Sequence, residues 1–197
     1  MKLLIATNNI NKKREIDEIL GPLGFETVIP KELGVDFDPE ETGSTFEENA
    51  MIKAQCGFAL TGIGTIADDS GLCVNALGGR PGIYSARYGG EDATYPEKIA
   101  KLQQEIGDAA DRSASFECAI ACVLSEDVSF TVTGRCLGEI AREAAGNGGF
   151  GYDPVFYIPS QGKTFSELTD DEKNAISHRG AALAALRMKL QEIQENK

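Results

Sequence analysis

The chain has 197 residues, 42% hydrophobic and 25% charged, with a formal net charge of −12. That length and balance suit one globular domain, or two closely fused lobes, able to bury a core without disulfide or metal staples. Apolar runs stay short of the roughly 20 residues of a membrane-spanning helix, and the negative charge disfavours long nucleic acid or a membrane surface while leaving metal cations and small phosphorylated ligands as partners.

Lys2 to Ala6 is strand-like and gives way to polar Thr7-Asn8-Asn9, which predicts a first β-strand and no signal peptide. A helix should start near Asn11, carry Ile16, Ile19 and Leu20 on one face, and stop at Gly21-Pro22. Phe25 to Ile29 forms a second short strand. Thr45-Phe46-Glu47-Glu48 has capping-box spacing, the Thr45 hydroxyl capping a free amide while Glu48 reaches back, so a helix runs from there to about Leu60. Thr65-Ile66-Ala67 is a strand running into Asp68-Asp69. Thr94 to Ile106 is another helix, with Pro96 in its first turn. Alternation over Phe116, Cys118, Ile120, Cys122 and Leu124, then over Val128, Phe130 and Val132 beyond Ser125-Glu126-Asp127, predicts a β-hairpin. Val155 to Ile158 is a late strand, Thr169 with Glu172 a second capping box, and the final helix carries Leu183, Leu186, Leu190 and Ile193 on one face. Alternating strands and helices with one hairpin predict an α/β fold with a mixed sheet, undivided by any linker or repeat over 1–197. The five cysteines, Cys56, Cys73, Cys118, Cys122 and Cys136, form no CxxC pair; they read as reduced structural thiols and, with no leader, as the mark of a cytoplasmic protein.

The polar, glycine-rich segments left over carry the chemistry. In Thr7-Asn8-Asn9-Ile10-Asn11-Lys12 a strand ends and a helix begins, an arrangement whose exposed amides attract phosphate and to which Lys12 adds a point charge. It is not a Walker loop, because GxxxxGK[ST] is absent. Glu40-Glu41-Thr42-Gly43 precedes the capped helix and is either a solvated acidic face or the source of one glutamate turned inward to a metal. Asp68-Asp69-Ser70-Gly71 puts two carboxylates directly after an apolar strand, costly if buried unpaired and relieved by a cation such as Mg2+. If both continue the strand they point to opposite faces, and one leads the chemistry. Gly149-Phe150-Gly151-Tyr152-Asp153-Pro154 suits close packing on a flat ligand, with Phe150 or Tyr152 stacking on a base and Asp153 accepting from base N–H groups. Either Lys173 and Arg179 neutralise phosphate charge, or His178, the one histidine of the chain, and Arg179 read purine edge oxygens.

These segments, in this order and over nearly the whole chain, resemble the inosine triphosphate pyrophosphatase family, the non-canonical purine nucleotide (dITP/XTP) pyrophosphatases. The markers are Thr7-Asn8-Asn9 with Lys12 and Glu15, Glu41-Thr42-Gly43 through Lys53, Asp68-Asp69-Ser70-Gly71-Leu72, Ala76 through Tyr88, Gly149 through Pro154, and Glu172-Lys173 with Ser177-His178-Arg179. The resemblance implies hydrolysis of ITP, dITP and XTP to the monophosphate and pyrophosphate, dependence on Mg2+, a homodimer, and an elongated mixed sheet with two lobes around a central cleft. By motif position it implies that Asp69 is general base and metal ligand and Glu41 a second metal position. It assigns substrate contacts to Thr7, Asn8, Asn9, Ile10, Asn11, Lys12, Ser70, Phe150, Gly151, Tyr152, Asp153, Lys173, His178 and Arg179. Two competing readings are a Maf-like pyrophosphatase of pyrimidine nucleotides, against which Ser177-His178-Arg179 argues, and a nucleotide sensor without catalysis, which has no use for Asp68-Asp69 beside glutamates.

Overall fold

The computed structural model describes residues 2–90 and 92–195. Its strands are β1 (Lys2–Ile5), β2 (Glu26–Val28), β3 (Thr65–Val74), β4 (Ser113–Ser125), β5 (Val128–Ile140), β6 (Phe156–Ile158) and β7 (Lys163–Thr164), and its α-helices are α1 (Ile10–Leu20), α2 (Phe46–Thr61), α3 (Tyr95–Ile106), α4 (Asp170–Ile176) and α5 (His178–Glu195). The strands form one mixed sheet of order β2-β1-β3-β4-β5-β6-β7. β1 pairs in parallel with β2 and with β3, whereas β5, β6 and β7 pair antiparallel. The chain is therefore an α/β protein with the mixed sheet its hairpin pattern predicts. Its parallel strand β1 is apolar throughout its buried part, Leu3-Leu4-Ile5, because a strand covered on both faces needs no alternation.

Local signals account for most element boundaries. Asn9 caps α1, its side chain accepting from the amides of Asn11 and Lys12, so the helix starts at Ile10. At α2 the Thr45 hydroxyl accepts from the Glu48 amide as expected, but Glu48 reaches one residue further back than a capping box requires and accepts from the amide and hydroxyl of Ser44. Thr169 and Glu172 complete a true capping box on α4. Strand β3 continues through Asp68, Asp69 and Ser70 to Val74, so both aspartates extend the strand that leads into them. Strand β7, two residues long, carries no readable periodicity.

The chain divides into two compact units, one of residues 1–69, 118–134 and 179–197, the other of residues 70–117 and 135–178. The first has its core in Leu3, Ile5, Ile16, Leu20, Ile66, Cys118, Ile120, Cys122 and the inward stripe Ala182, Leu183, Leu186 and Leu190 of α5. The second is built around Leu72, Val74, Leu102, Phe116, Ile140, Tyr152, Phe156 and Phe165, with Phe116, Phe156 and Phe165 in mutual ring contact. All five cysteines are free thiols; Cys118, Cys122 and Cys136 are buried.

Candidate active site

In the first unit the two adjacent aspartates of β3 are both buried, and strand geometry sends them to opposite faces. Asp68 Oδ1 pairs with Lys12 Nζ at 2.5 Å. Its Oδ2 accepts from Arg179 Nε at 3.1 Å, Arg179 Nη2 at 3.0 Å and the Cys118 thiol at 3.3 Å. Arg179 Nη1 in turn donates to buried Glu15. Burial works against the charge on Asp68, but Arg179 and Lys12 outweigh it and hold the carboxyl far below the usual carboxylate range. The same pairings hold Arg179 charged against its own burial. Asp68 is thus a fixed anion and a poor proton acceptor.

Asp69 has a different environment. Its Oδ1 accepts from Lys53 Nζ at 3.0 Å, and the same ammonium donates to Glu41 Oε1 at 2.7 Å. Its Oδ2 is buried with no hydrogen-bond partner among the described residues. Burial pushes the Asp69 carboxyl up, Lys53 and Lys12 oppose it, and Glu41 adds to the rise. Burial works against the charge on Lys53, but the carboxylates of Asp69 and Glu41 raise its pKa nonetheless. Lys53 reaches this position from the buried face of α2, where Asn49, Ala50, Lys53, Ala54 and Gly57 follow helical spacing. Asn49 fixes the loop bearing Glu41: its Oδ1 accepts from the Gly43 amide at 2.8 Å. A Cβ at Gly43 would lie 2.6 Å from that oxygen, so the close approach needs glycine.

Of the two glutamates, Glu40 is exposed, and Glu41 is the half-buried one turned toward Asp69. No group of three or more His, Cys, Asp or Glu side chains forms a ready-made metal cage among the described residues. Mg2+ does not need one, since it takes one or two carboxylates plus water and substrate phosphate. An oxygen-only pair drawn to one cation, with a buried carboxylate oxygen still lacking a partner, fits such an ion.

The segment leading into α1 is ordered by its own side chains. Thr7 Oγ1 accepts from the Asn9 amide at 3.1 Å, and Asn8 Nδ2 donates to the Phe37 carbonyl at 2.7 Å. Asn8, Asn9 and Ile10 are exposed, whereas Asn11 and Lys12 are half-buried. Lys12 is held by Asp68, so its position is set in advance by the strand. Ser70 follows Asp69 and is half-buried.

In the second unit the glycine loop carries a buried ion pair. Asp153 Oδ2 accepts from the Phe150 amide at 2.8 Å and from Lys173 Nζ at 2.8 Å. The Lys173 ammonium lies 4.8 Å from the centre of the Phe150 ring. Gly149 has φ +68°, and a Cβ there would lie 2.1 Å from Asp153 Oδ2. Tyr152 is not placed to stack on a ligand: its ring is in the core against Tyr95 and its hydroxyl donates to the Ser85 carbonyl at 2.9 Å. Phe150 and Gly151 are half-buried. His178 is buried and stacks on Phe116, centroids 4.7 Å apart.

Lys53 and Glu15 stand among the markers of the resemblance but were given no role at the site. A second signal was a charge on an otherwise buried helix face, Lys53 among the small residues of α2 and Glu15 beside Ile16 in α1. Tyr152 and Arg179 were expected at a ligand and prove deeply packed, because aromatic and guanidinium groups suit a core anchor as well as a binding surface.

An α/β sheet carrying a buried carboxylate–lysine centre defines the chain in structural terms, and comparison with known proteins gives its family. The Ham1 family model matches residues 3–189. The dITP/XTP pyrophosphatase of Treponema denticola is 49% identical over 189 residues, covering 94% of this chain and 96% of that one, and that of Escherichia coli K12 is 50% identical with 94% and 95% covered. Among solved structures, the Staphylococcus aureus Ham1 protein superposes with a TM-score of 0.88 at 42% identity, covering 98% of this chain and 99% of that one. The Coxiella burnetii HAM1 protein gives the same TM-score and coverage at 46% identity. The chain belongs to the Ham1 family.

Proposed function

We propose that this protein is a pyrophosphatase of non-canonical purine nucleoside triphosphates, converting ITP, dITP and XTP to the monophosphate and pyrophosphate and so clearing them from the nucleotide pool. The relatives named dITP/XTP pyrophosphatase, about half identical over nearly full length, support the reaction and the substrate class. The observation that carries the chemistry is Asp69, a buried carboxylate with one oxygen held by Lys53 and the other without a partner among the described residues.

Asp69 Oδ2 is the atom that accepts a proton from the attacking water. Burial raises this carboxyl, which makes it a better acceptor than a free carboxylate. Water adds to the α-phosphorus, the bond from that phosphorus to the bridging oxygen breaks, and pyrophosphate leaves. Lys53 donates to Asp69 Oδ1 and fixes the carboxylate plane. Lys12, set by Asp68, and the amide end of α1 favour the anionic phosphates. Glu41 and Asp69 would hold Mg2+, which when bound offsets the charge that develops on the phosphate oxygens. Lys173 supports the Phe150 to Asp153 loop, assigned here to the base, and an N–H of His178 matches the 6-keto oxygen of hypoxanthine and xanthine. We further propose that the protein is a cytoplasmic homodimer. No helix among the described residues is long and apolar enough to cross a membrane.

A panel of ITP, XTP, GTP, ATP and dUTP with Mg2+ and direct detection of pyrophosphate tests the proposal. Preference for ITP and XTP supports it, and preference for dUTP or another pyrimidine nucleotide overturns it. His178→Ala should lower kcat/KM for ITP more than for ATP; equal losses would remove the base-reading role.

A further inference from the structure

Outside the assigned base and metal residues, the group with the most unusual placement is Lys53. Its ammonium sits between the two carboxylates assigned to the divalent cation, 2.7 Å from Glu41 Oε1 and 3.0 Å from Asp69 Oδ1. The lysine is buried, 8% exposed, as is Asp69 at 7%. Asp69 Oδ2 remains buried without a hydrogen bond among the described residues. Two carboxylates brought together away from water repel unless a cation lies between them. The Lys53 ammonium is such a cation.

We propose that Lys53 is a resident cation that holds Glu41 and Asp69 together before metal arrives and competes with the divalent ion for them, so that it sets the affinity for metal. The inference rests on the reading of Glu41 and Asp69 as the metal pair. A monovalent ammonium satisfies one oxygen of each carboxylate and leaves Asp69 Oδ2 unsatisfied, whereas a divalent ion with its water shell satisfies more of the set. Metal entry then requires Lys53 to release at least one carboxylate and to tolerate a like charge nearby. The lysine is anchored on α2, while Glu41 lies in the irregular segment before it, so separation of the Glu41–Lys53 pair is the accommodating step. The Gly43–Asn49 hydrogen bond limits how far that segment can move. Lys53 is in this sense a positioning residue whose effect on metal affinity is opposite to that of the ligands: removing a ligand weakens metal binding, and removing Lys53 strengthens it.

The test is Mn2+ binding to the nucleotide-free protein at pH 8, read by electron paramagnetic resonance of the free ion, with melting temperatures measured alongside. The variants are Lys53→Met, Lys53→Gln and Asp69→Asn. The proposal expects Asp69→Asn to bind Mn2+ much more weakly than wild type. It expects Lys53→Met and Lys53→Gln to bind about tenfold tighter or better, with a lower metal-free melting temperature and a larger rise on Mn2+ addition. Equal or weaker binding by both lysine variants, with Asp69→Asn still impaired, overturns the proposal and leaves the metal assignment standing. Unimpaired binding by Asp69→Asn overturns the metal assignment and the proposal with it. Should both lysine variants fail to fold, NMR of the wild-type lysine NH3+ groups decides: a protected Lys53 signal lost on Mn2+-free Mg2+ saturation supports competition, and an unchanged signal overturns it.

Discussion

At the residue scale, neighbouring aspartates of one strand differ because their partners differ. Asp68 faces an arginine and a lysine and is fixed as an anion; Asp69 shares one lysine with a glutamate and is pushed up by burial. A base must be ionised to accept a proton, so activity should fall on the acid side as Asp69 becomes protonated. Asp69→Asn should cost about 10²-fold or more in kcat while circular dichroism stays unchanged. The thiols offer a separate check. Cys73 is only half-buried, yet burial first and Glu117 second push it up to about 11. The thiolate is the reactive form, so alkylation of Cys73 should be slow at pH 8 and accelerate toward pH 11, followed by mass spectrometry of the modified peptide.

At the element scale, helix ends and one strand extension place the charged groups. Asn9→Ala removes the side chain that caps α1 and should cost about 1 kcal/mol in denaturant unfolding. Arg179, in the first turn of α5, bridges Asp68 of β3 and Glu15 of α1. Arg179→Met leaves two buried carboxylates without that counter-ion and should cost about 3–5 kcal/mol. The pH dependence has a definite sign. The folded pKa of Asp68 is depressed, so its contribution to stability is complete above the unfolded carboxyl value of about 3.9 and is lost progressively below it, down through the depressed folded value. Urea unfolding of the Arg179→Met variant should show a smaller loss between pH 5 and pH 3 than wild type. Gly149→Ala places a methyl group against Asp153 and should cost about 1–3 kcal/mol while raising KM.

These elements also mark where sequence is informative. Caps at Asn9, Thr45 and Thr169 act through side chains two or three residues from the amides they bind, so local spacing reveals them. The alternation of Phe116 through Val132 reveals the hairpin for the same reason. The course of β3 through Asp68 and Asp69 depends on Lys12, Lys53 and Arg179, which lie up to 111 positions away in the chain. No local pattern encodes such partners. The burial of Tyr152 beneath Ser85 and Tyr95 is likewise a long-range fact. Motif order alone identified the candidate residues, and the packing separates Asp69, with one oxygen lacking a hydrogen bond among the described residues, from Asp68, held by Arg179 and Lys12.

At the scale of the whole molecule, the chain forms two compact units, the first carrying the acid–lysine centre and the second the glycine loop with Lys173 and His178. The net charge of −12 means that the proposed affinity for an anionic substrate must come from local positive features, such as Lys12 and the start of α1. In the proposed reaction, water adds to the α-phosphorus of a purine nucleoside triphosphate with Asp69 as proton acceptor. Hydrolysis of ITP in water enriched in oxygen-18, with products analysed by mass spectrometry, tests it most directly. One labelled oxygen in IMP and none in pyrophosphate is the predicted result; label in pyrophosphate, or release of labelled orthophosphate in its place, would contradict the account.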